Sequence, residues 1–322
     1  MTKTTELYKD GDNGESEPVT AEPQIPVGVD TEPAPLAVGL IAPPGIGIYY
    51  NVPPEVYHSW DACSHSWLRK IGQSPAHLLD LMENGWNGST SAQGLGSAVH
   101  CAVLEPDKFC DRYAVREDGV DGNTKAGKAF KAQAQAENKC VLSCQDGRWC
   151  AAIARRVREN RLVKRWLRKP HETEVSLVWE RDGYLCKARM DMVVRPEYTI
   201  PDLKTTITAS REGFARQVAK YDYHNQAAWY VDGMTRLMPG PWAFVFIAAE
   251  KQRPFLCGCH YLSPDGEAIE IGKQKCDEAF GLYKICRANR EWPGYEDAVE
   301  VELPAWAVRE QDEADVVVPL DI

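Results

Sequence analysis

Across residues 186–191 apolar and polar positions take turns: Cys186, Ala188 and Met190 alternate with Lys187, Arg189 and Asp191. A two-residue period marks a strand with one face buried. It predicts a strand over 184–194, with a second over 174–180 and a third over 198–204. The turn residues Arg195-Pro196-Glu197 separate 184–194 from 198–204. Trp242 to Ala249 is an almost unbroken apolar run, as a strand buried on both faces requires, and 255–262 alternates again. Helical signals surround these strands. Ser64 caps a helix reaching Ile71, and Ser74-Pro75 opens another through Leu81. Residues 94–104 read as a small-residue-rich helix closed by Glu105-Pro106. Further helices are predicted over about 128–138, 145–168, 210–237 and 265–290, with a polar loop over 116–128. This order of elements predicts one mixed-sheet α/β domain.

Charge changes where that domain begins and ends. The 322-residue chain has a formal net charge of −10. Residues 1–45 hold eight acids against Lys3 and Lys9, and 291–322 hold ten against Arg309, so 46–290 carries +5. The first segment, rich in proline and acids, predicts a disordered tail over 1–45. A folded domain follows over 46–309, then an acidic C-terminal tail over 310–322. Residues 155–169 hold eight basic side chains against Glu159. That run is either a solvated helix face or a contact surface for a phosphate backbone. The chain lacks an apolar run of about 18 residues and a secretory leader, which predicts no membrane span. Its eleven scattered cysteines read as reduced thiols, so the expected location is cytoplasmic.

Candidate chemistry lies where the strands meet the turn. Asp191 ends the alternating run, and Asp202 and Lys204 follow in Asp-x-Lys spacing, which puts both on one strand face. If strands 184–194 and 198–204 pair as a hairpin, Asp191 and Asp202 can lie side by side. Two carboxylates and an ammonium then converge where a hard divalent cation and a polarised water belong. Pro201, just before Asp202, suggests a bulge or an edge position. Three further elements accompany this one: His100 behind Gly94-Leu95-Gly96-Ser97, the i, i+4 pair Gln226 and Tyr230, and Thr205-Thr206. Glu174 and Glu105 read as structural or supporting residues, and His224 as a DNA-facing or structural one. Cys257, Cys259, Cys276 and Cys286 lack iron–sulfur spacing.

Together these motifs resemble the RecB-like branch of the PD-(D/E)XK nuclease superfamily, and within it the exodeoxyribonuclease VIII (RecE-type) nuclease domains. Tyr49-Tyr50-Asn51-Val52-Pro53, residues 96–106, Asp202-Leu203-Lys204-Thr205-Thr206, Tyr223-His224-Asn225-Gln226 and Leu303-Pro304-Ala305-Trp306-Ala307 carry the likeness, which spans about 48–309. The resemblance implies a PD-(D/E)XK α/β fold, a mixed central sheet flanked by helices. It implies that Asp191, Asp202 and the Leu203 carbonyl ligate Mg²⁺, or Mn²⁺ in its place, and that His100 ligates or positions the ion. Lys204 would orient the attacking water. Gln226 and Tyr230 would hold the DNA strand or brace the metal shell, with Thr205 also on the DNA. The implied activity is 5′→3′ degradation of linear double-stranded DNA, leaving 3′ tails for a single-strand annealing protein of the RecT type. A ring-like homo-oligomer is implied too. The alternatives are an inert DNA-binding or interaction protein on the same fold and a structure-specific endonuclease.

Overall fold

The computed structural model describes residues 39–85 and 91–303. Residues 1–38 and 304–322, which hold most of the N-terminal tail, the C-terminal tail and the end of the 303–307 motif, lie outside the described residues. The chain runs β1 (Gly47–Tyr49), α1 (Pro54–Ser59), β2 (Cys63–Ser64), α2 (His65–Ile71), α3 (Pro75–Asn84) and α4 (Ser91–Leu104). Then come α5 (Phe109–Arg112), β3 (Tyr113–Val115), α6 (Lys125–Ala136), β4 (Cys140–Leu142), α7 (Cys144–Glu159) and α8 (Arg161–Trp166). The second half is β5 (Glu172–Arg181), β6 (Tyr184–Val193), β7 (Thr199–Thr206), α9 (Arg211–Lys220), α10 (Tyr223–Leu237), β8 (Ala243–Glu250), β9 (Cys257–Tyr261) and α11 (Glu267–Asn289). It is a mixed α/β fold. No described helix is long and apolar enough to cross a membrane.

The expected hairpin of 184–194 with 198–204 does not form. β6 pairs instead with β5, antiparallel, around Asp182-Gly183, whose φ values of 49° and 77° suit a tight two-residue turn. A single isolated antiparallel bridge, Val194↔Thr199, links the residue after β6 to the start of β7. Between them a 3₁₀ turn over Arg195–Glu197 ends on left-handed Tyr198 and turns the chain away. β7 then becomes the first strand of a second ladder, β7-β8-β9, parallel to β8. The edge position expected for Pro201 is what occurs. The Leu203 N–H points away from β8, so the nitrogen of Pro201, two residues earlier, faces the same way and no ladder bond is lost.

Helices cover both faces of these strands. Along β8, Phe244, Phe246 and Ala248 pack in one core with α2, α10 and α11. Val245, Ile247 and Ala249 pack in the other, with α4, α7 and α8. This two-sided burial explains the unbroken apolar run. Two predicted helices are interrupted. The 145–168 helix breaks at Asn160, whose Oδ1 caps α8 by accepting from the Leu162 N–H at 3.0 Å. The 210–237 helix breaks at Tyr221-Asp222, where Asp222 is left-handed, φ 55°.

Candidate active site

The Asp-x-Lys strand builds the floor of the site. On β7, Asp202 and Lys204 share one face, as a two-residue period requires, and the Lys204 ammonium touches Asp202 Oδ2. Asp202 is only 2 % exposed. Its other oxygen, Oδ1, accepts from Gln226 Nε2 at 3.0 Å. Gln226 therefore braces a carboxylate. Tyr230, one helix turn along α10, shares a face with Gln226, is half-buried and packs its ring edge-on against Phe244. Gln226 thus stands beside Asp202, and neither it nor Tyr230 lines the cleft.

Asp191 reaches the same place from β6 without a ladder. Its Oδ2 accepts from the Leu203 N–H at 2.7 Å and lies 3.4 Å from His100 Nδ1. Burial, and then the charge of Asp202, hold the Asp191 carboxyl well above the usual carboxylate range, against the pull of Lys204. Burial opposes the Lys204 ammonium, yet Asp202 and Asp191 outweigh it and raise its pKa. Burial and Lys204 lower that of His100. The Tyr223 ring lies 5.1 Å from the Lys204 nitrogen, a cation–π contact that holds the ammonium in place.

Beside this cluster, on the side of Asp191 and His100, opens a cleft of about 940 Å³ whose lining does not include Asp202 or Lys204. His100, Asp191 and Thr205 line it, as do Glu174 and Arg189. Its lip carries Arg216, Lys220 and Lys251, none of which has an ion-pair partner among the described residues. By contrast, the 155–169 run is largely occupied. Arg155 and Arg156 pair with Glu159, Arg165 and Lys169 pair with Glu197, and Arg158 bonds the Ala102 carbonyl. Within the cleft, basic side chains without an ion-pair partner thus stand on α9 and just after β8, while Arg161, Lys164 and Arg168 of the 155–169 run are also left without one among the described residues. The spacing of Arg216 and Lys220, one turn apart on a polar helix face, is the sequence signal for those on α9. Glu105 is held by Lys108 and Arg112, and buried His224 sits near the Val218 carbonyl. Both supporting roles are structural.

The donors fit a divalent cation in kind. They are the oxygens of Asp191, Asp202 and the Leu203 carbonyl, with His100 beside them. Asp202 Oδ2 is buried and its one close partner is the Lys204 ammonium, so a cation bound there would share this oxygen with Lys204. As the side chains stand, no three His, Cys, Asp or Glu among the described residues converge tightly enough to close a metal shell. Asp191 is instead turned onto the Leu203 N–H.

A family model described as a PDDEXK-like domain of unknown function (DUF3799) matches residues 64–302. A solved structure of a candidate exonuclease from Eubacterium rectale is similar in fold, with a TM-score of 0.53 at 14% identity. The similarity covers 80% of this chain and 94% of that one. A second solved structure, that of SSO0001, aligns at 13% identity over 61% of this chain and 88% of that chain, with a TM-score of 0.27. No curated protein matches.

Proposed function

We propose, from the fact that the chain belongs to the PDDEXK-like family DUF3799, that it is a Mg²⁺-dependent exodeoxyribonuclease acting on linear double-stranded DNA. The observation that carries this reading is the cluster on β7: buried Asp202 held between Lys204 and Gln226, with Asp191 and His100 beside it lining an open cleft. Asp191, Asp202 and the Leu203 carbonyl are the residues that would hold Mg²⁺ or Mn²⁺. Such an ion supplies charge neutralisation for phosphoryl oxygens and a more acidic water.

The chain's own groups do the remaining work. Lys204, kept protonated by two carboxylates, is an electrostatic clamp for charge developing on the phosphate, and it is not a base. Gln226 fixes the Asp202 carboxylate, with Tyr230 one helix turn along on the same face. His100, held neutral by burial, offers a ring nitrogen at the Asp191 side. Arg216, Lys220 and Lys251 receive backbone phosphates at the lip, with Thr205 deeper in the cleft. The direction of attack is 5′→3′, leaving 3′ tails for a single-strand annealing partner of the RecT type, and the working form is a ring-like homo-oligomer.

Digestion of a linear duplex labelled at the 5′ or the 3′ end tests this. Early release of 5′ label with Mg²⁺ is the expected result. Early release of 3′ label would reverse the polarity, and cutting of closed circular DNA would make the protein an endonuclease.

A further inference from the structure

The β5–β6 ladder keeps one register from Glu172↔Val193 to Arg181↔Tyr184. That register sets Glu174 opposite Asp191. Within it Glu174 has a left-handed backbone, φ 54°. A glutamate enters that region only against a steric penalty, and inside a strand it is a true outlier. At the same level the facing of β6 changes. Met190 packs in the first core and Met192 in the second, although a regular strand would send both to one side. The irregularity coincides with the candidate site, where strain persists because the surroundings enforce it.

Its result is a specific ion pair. Glu174 Oε2 accepts from Arg189 Nε at 2.7 Å, and Arg189 Nη1 donates to the Val52 carbonyl at 2.8 Å. Arg189 stands two residues before Asp191, about 7 Å along the strand, and both line the cleft. A guanidinium at that distance can reach the Asp191 carboxylate, and paired there it would block a cation. We propose that Glu174 is a positioning residue. Its carboxylate takes up the Arg189 guanidinium, keeps it off Asp191, and cancels its charge next to the metal ligands. The assignment rests on the reading of Asp191 as a metal ligand.

The pair is neutral, so removing either half changes the charge near the ligands by one unit. If the charges lie on the order of 7 Å from the ion, such a change alters divalent-cation affinity by roughly sevenfold at the dielectric constant of water and by more at a lower one. The test is calorimetric titration of Mn²⁺ into the full chain without DNA, for the parent, Glu174→Gln, Arg189→Gln and the double variant. Glu174→Gln should bind at least roughly sevenfold more weakly and Arg189→Gln at least roughly sevenfold more tightly, with the double variant close to the parent. A purely structural pair predicts weaker binding in all three. Thermal melts establish folding. If Glu174→Gln fails to fold, Arg189→Gln still decides, because tighter binding supports the proposal and weaker or equal binding overturns it. A parent that binds Mn²⁺ alongside a Glu174→Gln variant that binds equally well removes this inference alone. A parent that binds no Mn²⁺ removes both this inference and the metal-dependent reading beneath it.

Discussion

Replacing Gln226 by leucine takes one donor from the most buried carboxylate of the site. Gln226 Nε2 donates to Asp202 Oδ1 at 3.0 Å, on an aspartate that is 2 % exposed. A hydrogen bond to a charged group contributes about 1.5–3 kcal/mol. Expressed as a rate at about 1.4 kcal/mol per factor of ten, that is roughly 10–150-fold. Loss of a group that orients a ligating carboxylate independently lowers metal affinity or activity by about 10–100-fold. The two ranges agree, so Gln226→Leu should lower kcat about 10–100-fold and raise the Mg²⁺ concentration needed for half-maximal rate. KM for DNA should change by less than about twofold, because the side chain faces Asp202 and not the cleft. The assay is release of acid-soluble nucleotide from linear duplex, with DNA and Mg²⁺ varied separately. A raised KM with kcat unchanged would refute the bracing role and put Gln226 on the DNA.

Three other variants probe the surroundings. Arg216, Lys220 and Lys251 changed together to alanine should weaken DNA binding and flatten the slope of log affinity against log salt by about 2–3, the value for three phosphate contacts; an unchanged slope by fluorescence anisotropy would move the DNA elsewhere. Gly272→Ala should destabilise by about 1–3 kcal/mol in chemical denaturation, because its methyl would stand 2.5 Å from the His224 carbonyl oxygen across the α10–α11 contact. Lys187, 2 % exposed, donates to the Tyr57 and Trp60 carbonyls at 3.0 and 2.6 Å. Lys187→Met should cost about 2–4 kcal/mol at pH 9.5 by stranding them. Burial draws the Lys187 ammonium from 10.5 down to about 7. Between those values the unfolded chain holds the proton that the folded chain has released. Parental stability from this group therefore rises with pH across that window, and Lys187→Met should flatten the rise between pH 7 and 9.5. A steeper rise in the variant would overturn the assignment.

Local chemistry was legible in the chain, and the partners brought by distant segments were not. Asp202 and Lys204 share a face because strand period alone demands it, and Gln226 and Tyr230 share one because helix period does. The nuclease-like fold followed from those motifs and their order. The strand pairing did not. Asp182-Gly183 is the stronger hairpin signal, and Arg195-Pro196-Glu197 diverts the chain after one bridge, so Asp191 meets β7 through the Leu203 N–H. Helix breaks at Asn160 and Asp222 depend on a side-chain cap and a left-handed residue that apolar periodicity does not register. For the basic run at 155–169 the sequence leaves a solvated face and a phosphate surface both open, because composition counts charges and not their partners. Glu159 and Glu197 neutralise much of it, while the unpaired Arg216, Lys220 and Lys251 reach one cleft only through the fold. The strain at Glu174 has no sequence signature at all.

The most direct test of the account is the rate of Mg²⁺-dependent degradation of linear duplex DNA by the parent and by Asp202→Ala, with circular dichroism confirming that both are folded. The account predicts degradation by the parent and none by the variant. A folded Asp202→Ala that degrades DNA at the parental rate would contradict it.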